Sequence, residues 1–185
     1  MGKIIFYSAD KQKTGCLAQL AERKGYLFAS ADDTCLEMTL ADLFETMDMH
    51  SGDAAAYEEE YLMFDGLSGE EVYSFSEEIG KYCGEFEGIK CIRTAYNETW
   101  PLKYLFHEIY LEHQTARKAM VLDQMLRAAG TVDFAAMKKE EADALKQAYM
   151  DGFVLLQSGV YTDEQITSAV RKIAEALRNT AKPVN

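Results

Sequence analysis

Thr94-x-x-Asn97-x-x-Trp100 follows a short apolar run and opens a helical stretch, so a hydroxyl, an amide and an indole meet at one strand-to-helix turn. Open α/β sheets bind small ligands at such turns, where strand carboxyl ends face helix N-termini and their unpaired N–H groups. Thr94, Asn97 and Thr99 offer polar groups to a small anion or metabolite, and Trp100 offers an apolar wall. Asp65 ends an earlier apolar run and is the acid/base candidate of the same edge; Ser8, Asp10 and Ser68 follow strand ends in the same way. Each residue also has a structural role open to it. Asn97 or Thr99 can cap the helix, Pro101 fits its first turn, Trp100 can cover the core, and Asp65 before Gly66 suits a turn. The predicted ligand-binding set is therefore Asp65, Thr94, Asn97, Thr99 and Trp100, with no catalytic residue, no metal ligand and no cofactor assigned.

Other patterns carry less chemistry. The string from His107 to His113 lacks the i, i+4 histidine pair of a zincin, because Leu111 stands where the second imidazole belongs. His107 and His113 lie six residues apart, about 240° around a helix, and diverge. Gly66-Leu67-Ser68-Gly69 is one residue short of a nucleophile elbow, and Ser68 with Glu71 already forms a capping box. The chain has no Walker A sequence and no Gly-x-Gly-x-x-Gly. Its four cysteines, Cys16, Cys35, Cys83 and Cys91, form no C-x-x-C pair and have no histidine at zinc-finger spacing. Cys91 reads as a reduced thiol in a buried strand.

The Thr94–Leu105 pattern, taken with Met63-Phe64-Asp65-Gly66-Leu67-Ser68-Gly69-Glu70 and Glu112-His113, resembles the small bacterial family called domain of unknown function 3783. The resemblance covers residues 60–113, and Ala95 stands where that family has a proline after the threonine. It implies a duplicated α/β architecture and no particular activity.

These residues must be positioned by elements that appear twice. Ile4–Ser8 and Tyr61–Asp65 are apolar runs of buried-strand type, each followed by an amphipathic helix and a second apolar run, Tyr26–Ser30 and Ile89–Thr94. Each half closes on one pattern: Leu40, Leu43 and Phe44 recur 62 residues later as Leu102, Leu105 and Phe106. The spacing predicts an α/β fold, a duplicated β-α-β-α unit forming a mainly parallel four-stranded sheet with flanking helices, because strand–helix–strand crossovers are normally parallel. This unit spans 1–115, with repeats at about 1–50 and 57–113 joined through Gly52–Ala56. Residues 116–185 form a C-terminal helical extension, with Asp133 opening one helix, Thr162 and Gln165 capping another, and the tail at Lys182-Pro183 frayed.

Composition bounds the function. Of 185 residues 48% are apolar and the net charge is −12. Between Asp53 and Gly88 there are eleven acids and one base, Lys81, so that segment supplies −10 of the charge. Such a surface repels phosphate backbones and argues against nucleic-acid binding. No apolar run approaches the roughly 20 residues of a membrane span, and no signal-peptide core is apparent, which places the protein in the cytoplasm. The expectation is a non-catalytic module that binds a small ligand or a protein partner, with a homodimer or partner contact through the C-terminal helices. The alternative is a small-molecule enzyme with its site at the strand ends near Asp65, Thr94 and Asn97.

Overall fold

Four five- or four-residue strands carry the fold: β1 (Lys3–Tyr7), β2 (Leu27–Ala31), β3 (Tyr61–Asp65) and β4 (Ile89–Ile92). In the computed structural model, which describes residues 1–52, 54 and 56–180, they form one sheet in the order β2-β1-β3-β4. Asp53 and Ala55 of the joining segment, and the Lys182-Pro183 tail, lie outside the described residues. The chain divides into two compact units, Met1–Tyr110 and Leu111–Asn185.

The sheet is mixed, which corrects the mainly parallel arrangement expected from the sequence. β1 pairs parallel with β2 and β3 parallel with β4, but the central pair β1–β3 is antiparallel, with Lys3 opposite Asp65 and Tyr7 opposite Tyr61. The reason lies in the connection out of β2. A parallel return needs a crossover along the whole strand length, yet α2 (Leu40–Thr46) is only seven residues long and stops at Met47, in the left-handed region at φ 51°. The chain then runs back along the end of β2, where the His50 N–H donates to the Ser30 carbonyl at 3.0 Å. It therefore enters β3 from the edge at which β2 finished.

Strand alternation sends residues to two cores. Ile4, Phe6, Leu62 and Phe64 face α1 (Lys11–Arg23) and α3 (Gly69–Tyr82), packing on Leu17, Leu20, Phe75 and Ile79. Ile5, Tyr7, Tyr61 and Met63 face α2 and residues 102–110 of α4 (Leu102–Ala129), packing on Leu40, Leu43, Phe44, Leu102, Leu105 and Phe106. Both faces are covered, which is why the strands read as continuous apolar runs rather than alternating ones. On the α1/α3 face the helices are also joined covalently, by a Cys16–Cys83 disulfide with the Cα atoms 5.6 Å apart. Cys35 and Cys91 are the remaining cysteines, both buried.

The starts of α2 and α4 pair with each other. Leu40 N donates to Trp100 O at 3.1 Å and Leu102 N to Met38 O at 3.0 Å, around an antiparallel bridge between Thr39 and Pro101. Asp10 caps α1, its carboxylate accepting from Lys13 N at 2.9 Å.

Ser68 and Glu71 form the predicted capping box on α3: Ser68 N donates to Glu71 Oε2 at 2.7 Å and Glu71 N to Ser68 Oγ at 3.3 Å. Replacing Ser68 by alanine is expected to cost about 1 kcal/mol in urea unfolding. The Ser68 backbone N–H also holds the Glu71 carboxyl below its usual range. A depressed carboxyl contributes stability above its unfolded value, about 4.3, and the contribution is lost as pH falls through the lower folded value. Glu71→Gln is expected to flatten that acid limb when the unfolding midpoint is followed from neutral to acidic pH.

The second unit continues with α5 (Lys139–Ser158) and α6 (Asp163–Thr180), which bury Leu122, Leu126, Leu145, Ile166 and Ile173 against one another and α4. Thr162 and Gln165 exchange the expected capping bonds at 2.8 and 3.3 Å. Asp133 caps only a short 3-10 turn, Phe134–Ala136, and α5 begins later, after a Lys138 that makes no side-chain cap. Among the described residues no helix is long and apolar enough to cross a membrane.

Candidate functional site

The Thr94–Trp100 turn follows β4 and is held by its own asparagine. Asn97 Oδ1 accepts from Thr94 N at 2.8 Å, while Asn97 Nδ2 donates to Ile92 O at 3.0 Å. Asn97 N, Glu98 N and Trp100 N donate to carbonyls within the same turn. Asn97 thus ties the end of β4 to the start of α4. Beside it Arg93 donates to Glu98 Oε2 from Nε and Nη2, at 3.2 and 2.9 Å, and reaches Asp65 Oδ2 at 3.5 Å. Trp100 packs on the α2/α4 core, with the rings of Tyr96 and Tyr104 each 4.9 Å away. Thr94 and Thr99 are exposed. The structure therefore brings Asp65, Thr94 and Asn97 to one edge, with Arg93 between the carboxylate and the turn.

The mixed sheet separates the other strand-end residues from these. Ser8 and Asp10 follow β1, whose carboxyl end lies beside the start of β3, so they sit at the opposite edge from Asp65 and Ser68. Ser8 Oγ donates to Glu60 Oε1 at 2.7 Å and Lys13 Nζ reaches Glu60 Oε2 at 2.7 Å, one ion-pair cluster at that edge.

The same edge holds a cavity of about 300 Å³ lined by Ala56, Tyr57, Glu58, Glu59, Tyr61, Phe106, His107 and Tyr110. Its aromatic wall is built from a loop, a strand and a helix. Tyr61, at the start of β3, stacks on Phe106 of α4 with centroids 3.8 Å apart and planes at 6°. Tyr57 meets both rings edge-on, at 5.9 and 5.3 Å, and donates from its hydroxyl to Lys103 O at 3.3 Å. Burial, reinforced by the Glu59 carboxylate and the Tyr57 and Tyr110 phenols, pushes the Tyr61 phenol upward, so it stays neutral. Behind the wall Tyr7 touches Phe106 at 5.1 Å and donates to Asp33 Oδ1 at 2.5 Å. Four aromatic side chains and two carboxylates around one small space can attract a cation by ring quadrupoles and by charge.

Sequence reasoning missed this cavity because its parts looked ordinary. Glu58 and Glu59 read as acidic surface, Tyr61 as strand, and His107 as part of a failed metal motif. Tyr57 directly before the acids was the available signal. A second grouping was hidden by unusual spacing: Asp32, Cys35 and His50 each bring one donor atom to within 4.8 Å of the others.

Fold and sites together define an α/β unit with a mixed four-stranded sheet, followed by a helical unit. Compared with known protein families, with curated proteins and with solved structures, the chain finds no match in any of the three.

Proposed function

We propose that this protein is a non-catalytic module that binds a small organic cation in the cavity between Tyr57, Tyr61, Phe106 and Tyr110. The observation that carries the reading is the pairing of an aromatic wall with the Glu58 and Glu59 carboxylates around about 300 Å³, the lower end of the range for small-molecule sites. Desolvated cation–π contacts contribute roughly 2 kcal/mol, and a nearby carboxylate adds charge attraction. Thermal unfolding with added tetramethylammonium tests it. The midpoint is expected to rise with concentration, because a ligand of the folded state stabilises by mass action. Glu59→Gln and Tyr110→Ala, at the cavity rim, are expected to suppress that rise without lowering the midpoint in its absence. An unchanged midpoint in the parent protein counts against the reading.

The alternative, an enzyme centred on Asp65, Thr94 and Asn97, is less well supported, because the Asn97 amide and the Asp65 carboxylate are engaged by Thr94, Ile92 and Arg93. A protein contact has one supporting feature in the helical unit, a groove of α5 and α6 lined by Met150, Val154, Leu155 and Val160 with Asp151 and Lys172 in it. Asp151 and Lys172 pair with each other there at 3.6 Å, so the contact rests on the apolar residues, and light scattering that gives a strict monomer at high concentration removes a second copy as the occupant.

We infer also that 1–50 and 57–113 are copies of one unit of the domain of unknown function 3783 type. The reciprocal bonds Leu40 N to Trp100 O and Leu102 N to Met38 O support this, since they exchange under the 62-residue offset of the sequence pattern. Cytoplasmic placement is likewise a proposal. The Cys16–Cys83 disulfide weighs against it, because disulfides persist mainly in oxidising compartments. Alkylation of thiols at the moment of cell lysis decides: free Cys16 and Cys83 support the cytoplasm, and an intact bond contradicts it.

A further inference from the structure

We propose that Asp32, Cys35 and His50 form a binding site for one divalent cation of the zinc class, with a fourth coordination position open. Asp32 follows β2 and Cys35 lies one 3-10 turn later, so the Asp32 Oδ1 and Cys35 Sγ atoms face each other at 3.9 Å. His50 arrives from a different element, the return segment after α2, and is fixed to β2 by two bonds: its N–H donates to Ser30 O, and Ser30 Oγ donates to its carbonyl. The three donor atoms lie within 4.8 Å of one another. A tetrahedral zinc ion, with bonds of about 2.3 Å to sulfur and 2.0–2.2 Å to nitrogen and oxygen, asks for donor separations of roughly 3.4–3.7 Å. Side-chain adjustment of about an ångström closes the set.

Two independent observations point to a ligand here. His50 Nε2 is buried and has no hydrogen-bond partner, a cost that a folded protein normally avoids and that a metal bond removes. The Asp32 carboxylate, only 4% exposed, is held in place as ligating carboxylates are, with Thr34 Oγ1 also donating to the Oδ1 that faces Cys35. Thr34 N donates to its Oδ1 at 2.9 Å and Gly52 N to its Oδ2 at 2.7 Å. Gly52 comes so close that a Cβ there would stand 2.6 Å from Oδ2. Metal binding replaces the Cys35 S–H bond by a metal–sulfur bond and releases one proton to solvent. One thiolate, one imidazole and one carboxylate suit zinc or cobalt over magnesium or calcium, which take oxygen ligands.

Titration of the intact protein with Co²⁺ alone tests the site. The expected result is one equivalent bound, with a thiolate-to-cobalt charge-transfer band in the near ultraviolet that Zn²⁺ bleaches. Cys35→Ser is expected to abolish the band, and His50→Ala to weaken Co²⁺ binding by about 100-fold or more, beyond the usual effect of losing an outer partner. Cys91→Ser is expected to leave both unchanged. Should Cys35→Ser lose its circular-dichroism signature, His50→Ala with a native spectrum decides. No band in the parent protein, a band that survives Cys35→Ser in a folded protein, or undiminished affinity in His50→Ala overturns the proposal.

Discussion

Removing the Cys16–Cys83 disulfide, by reduction or by the Cys16→Ser/Cys83→Ser double substitution, is expected to lower the stability of the α/β unit by about 4 kcal/mol. The bond joins the first turns of α1 to the end of α3, across a sequence separation of 67 residues. In the chain-entropy account a cross-link of that span removes close to this amount of loop-closure freedom from the unfolded state, within a usual range of about 2–5 kcal/mol. Its two helices cover one whole face of the sheet, so the constraint acts on the core rather than on a loop. Urea unfolding with and without a phosphine reductant measures it, and the double variant, insensitive to reductant, should coincide with the reduced parent. A shift under about 1 kcal/mol in both would show that the unfolded chain is already compact around these helices.

Phe106→Ala is expected to cost about 3–5 kcal/mol, the range for emptying an aromatic position in a packed core. Phe106 is wholly buried, stacks on Tyr61 and meets Tyr7 and Tyr57 edge-on at 5.1 and 5.3 Å. Its removal takes the partner from three rings at once, and those rings also form the cavity wall. The same variant should therefore lose cation binding together with stability. Tyr110→Ala separates the two effects, because Tyr110 stands at the rim: its unfolding free energy should change by no more than about 0.5 kcal/mol while binding is lost. Chemical denaturation of both variants, with binding measured on each, tests the separation.

Much of the α/β unit was legible because it depends on local pattern. The apolar runs of β1 and β3 and the Ser68–Glu71 cap each announce their element within a few residues. The direction of β3 was not legible. It depends on the path of residues 47–60, where a left-handed Met47 and the pairing of His50 with Ser30 turn the chain back, and neither has a strong sequence signal. That one reversal moved Ser8 and Asp10 to the edge opposite Asp65 and Thr94. The spacing offered Asn97 as a helix cap, but its side chain bonds back to Thr94 N and Ile92 O and clasps the β4–α4 turn instead. The cavity was harder to see, since Tyr57, Tyr61 and Phe106 come from a loop, a strand and a helix and meet only in the folded chain.

Isothermal titration of the protein with choline, set beside its uncharged isostere 3,3-dimethylbutanol, tests the cation-binding account most directly. The two ligands share shape and apolar area and differ in charge alone. The account predicts one choline bound per chain, at least about tenfold tighter than the alcohol, which corresponds to about 1.4 kcal/mol and lies within the reach of cation–π attraction. Equal affinities for the two, or no heat from choline, would contradict it.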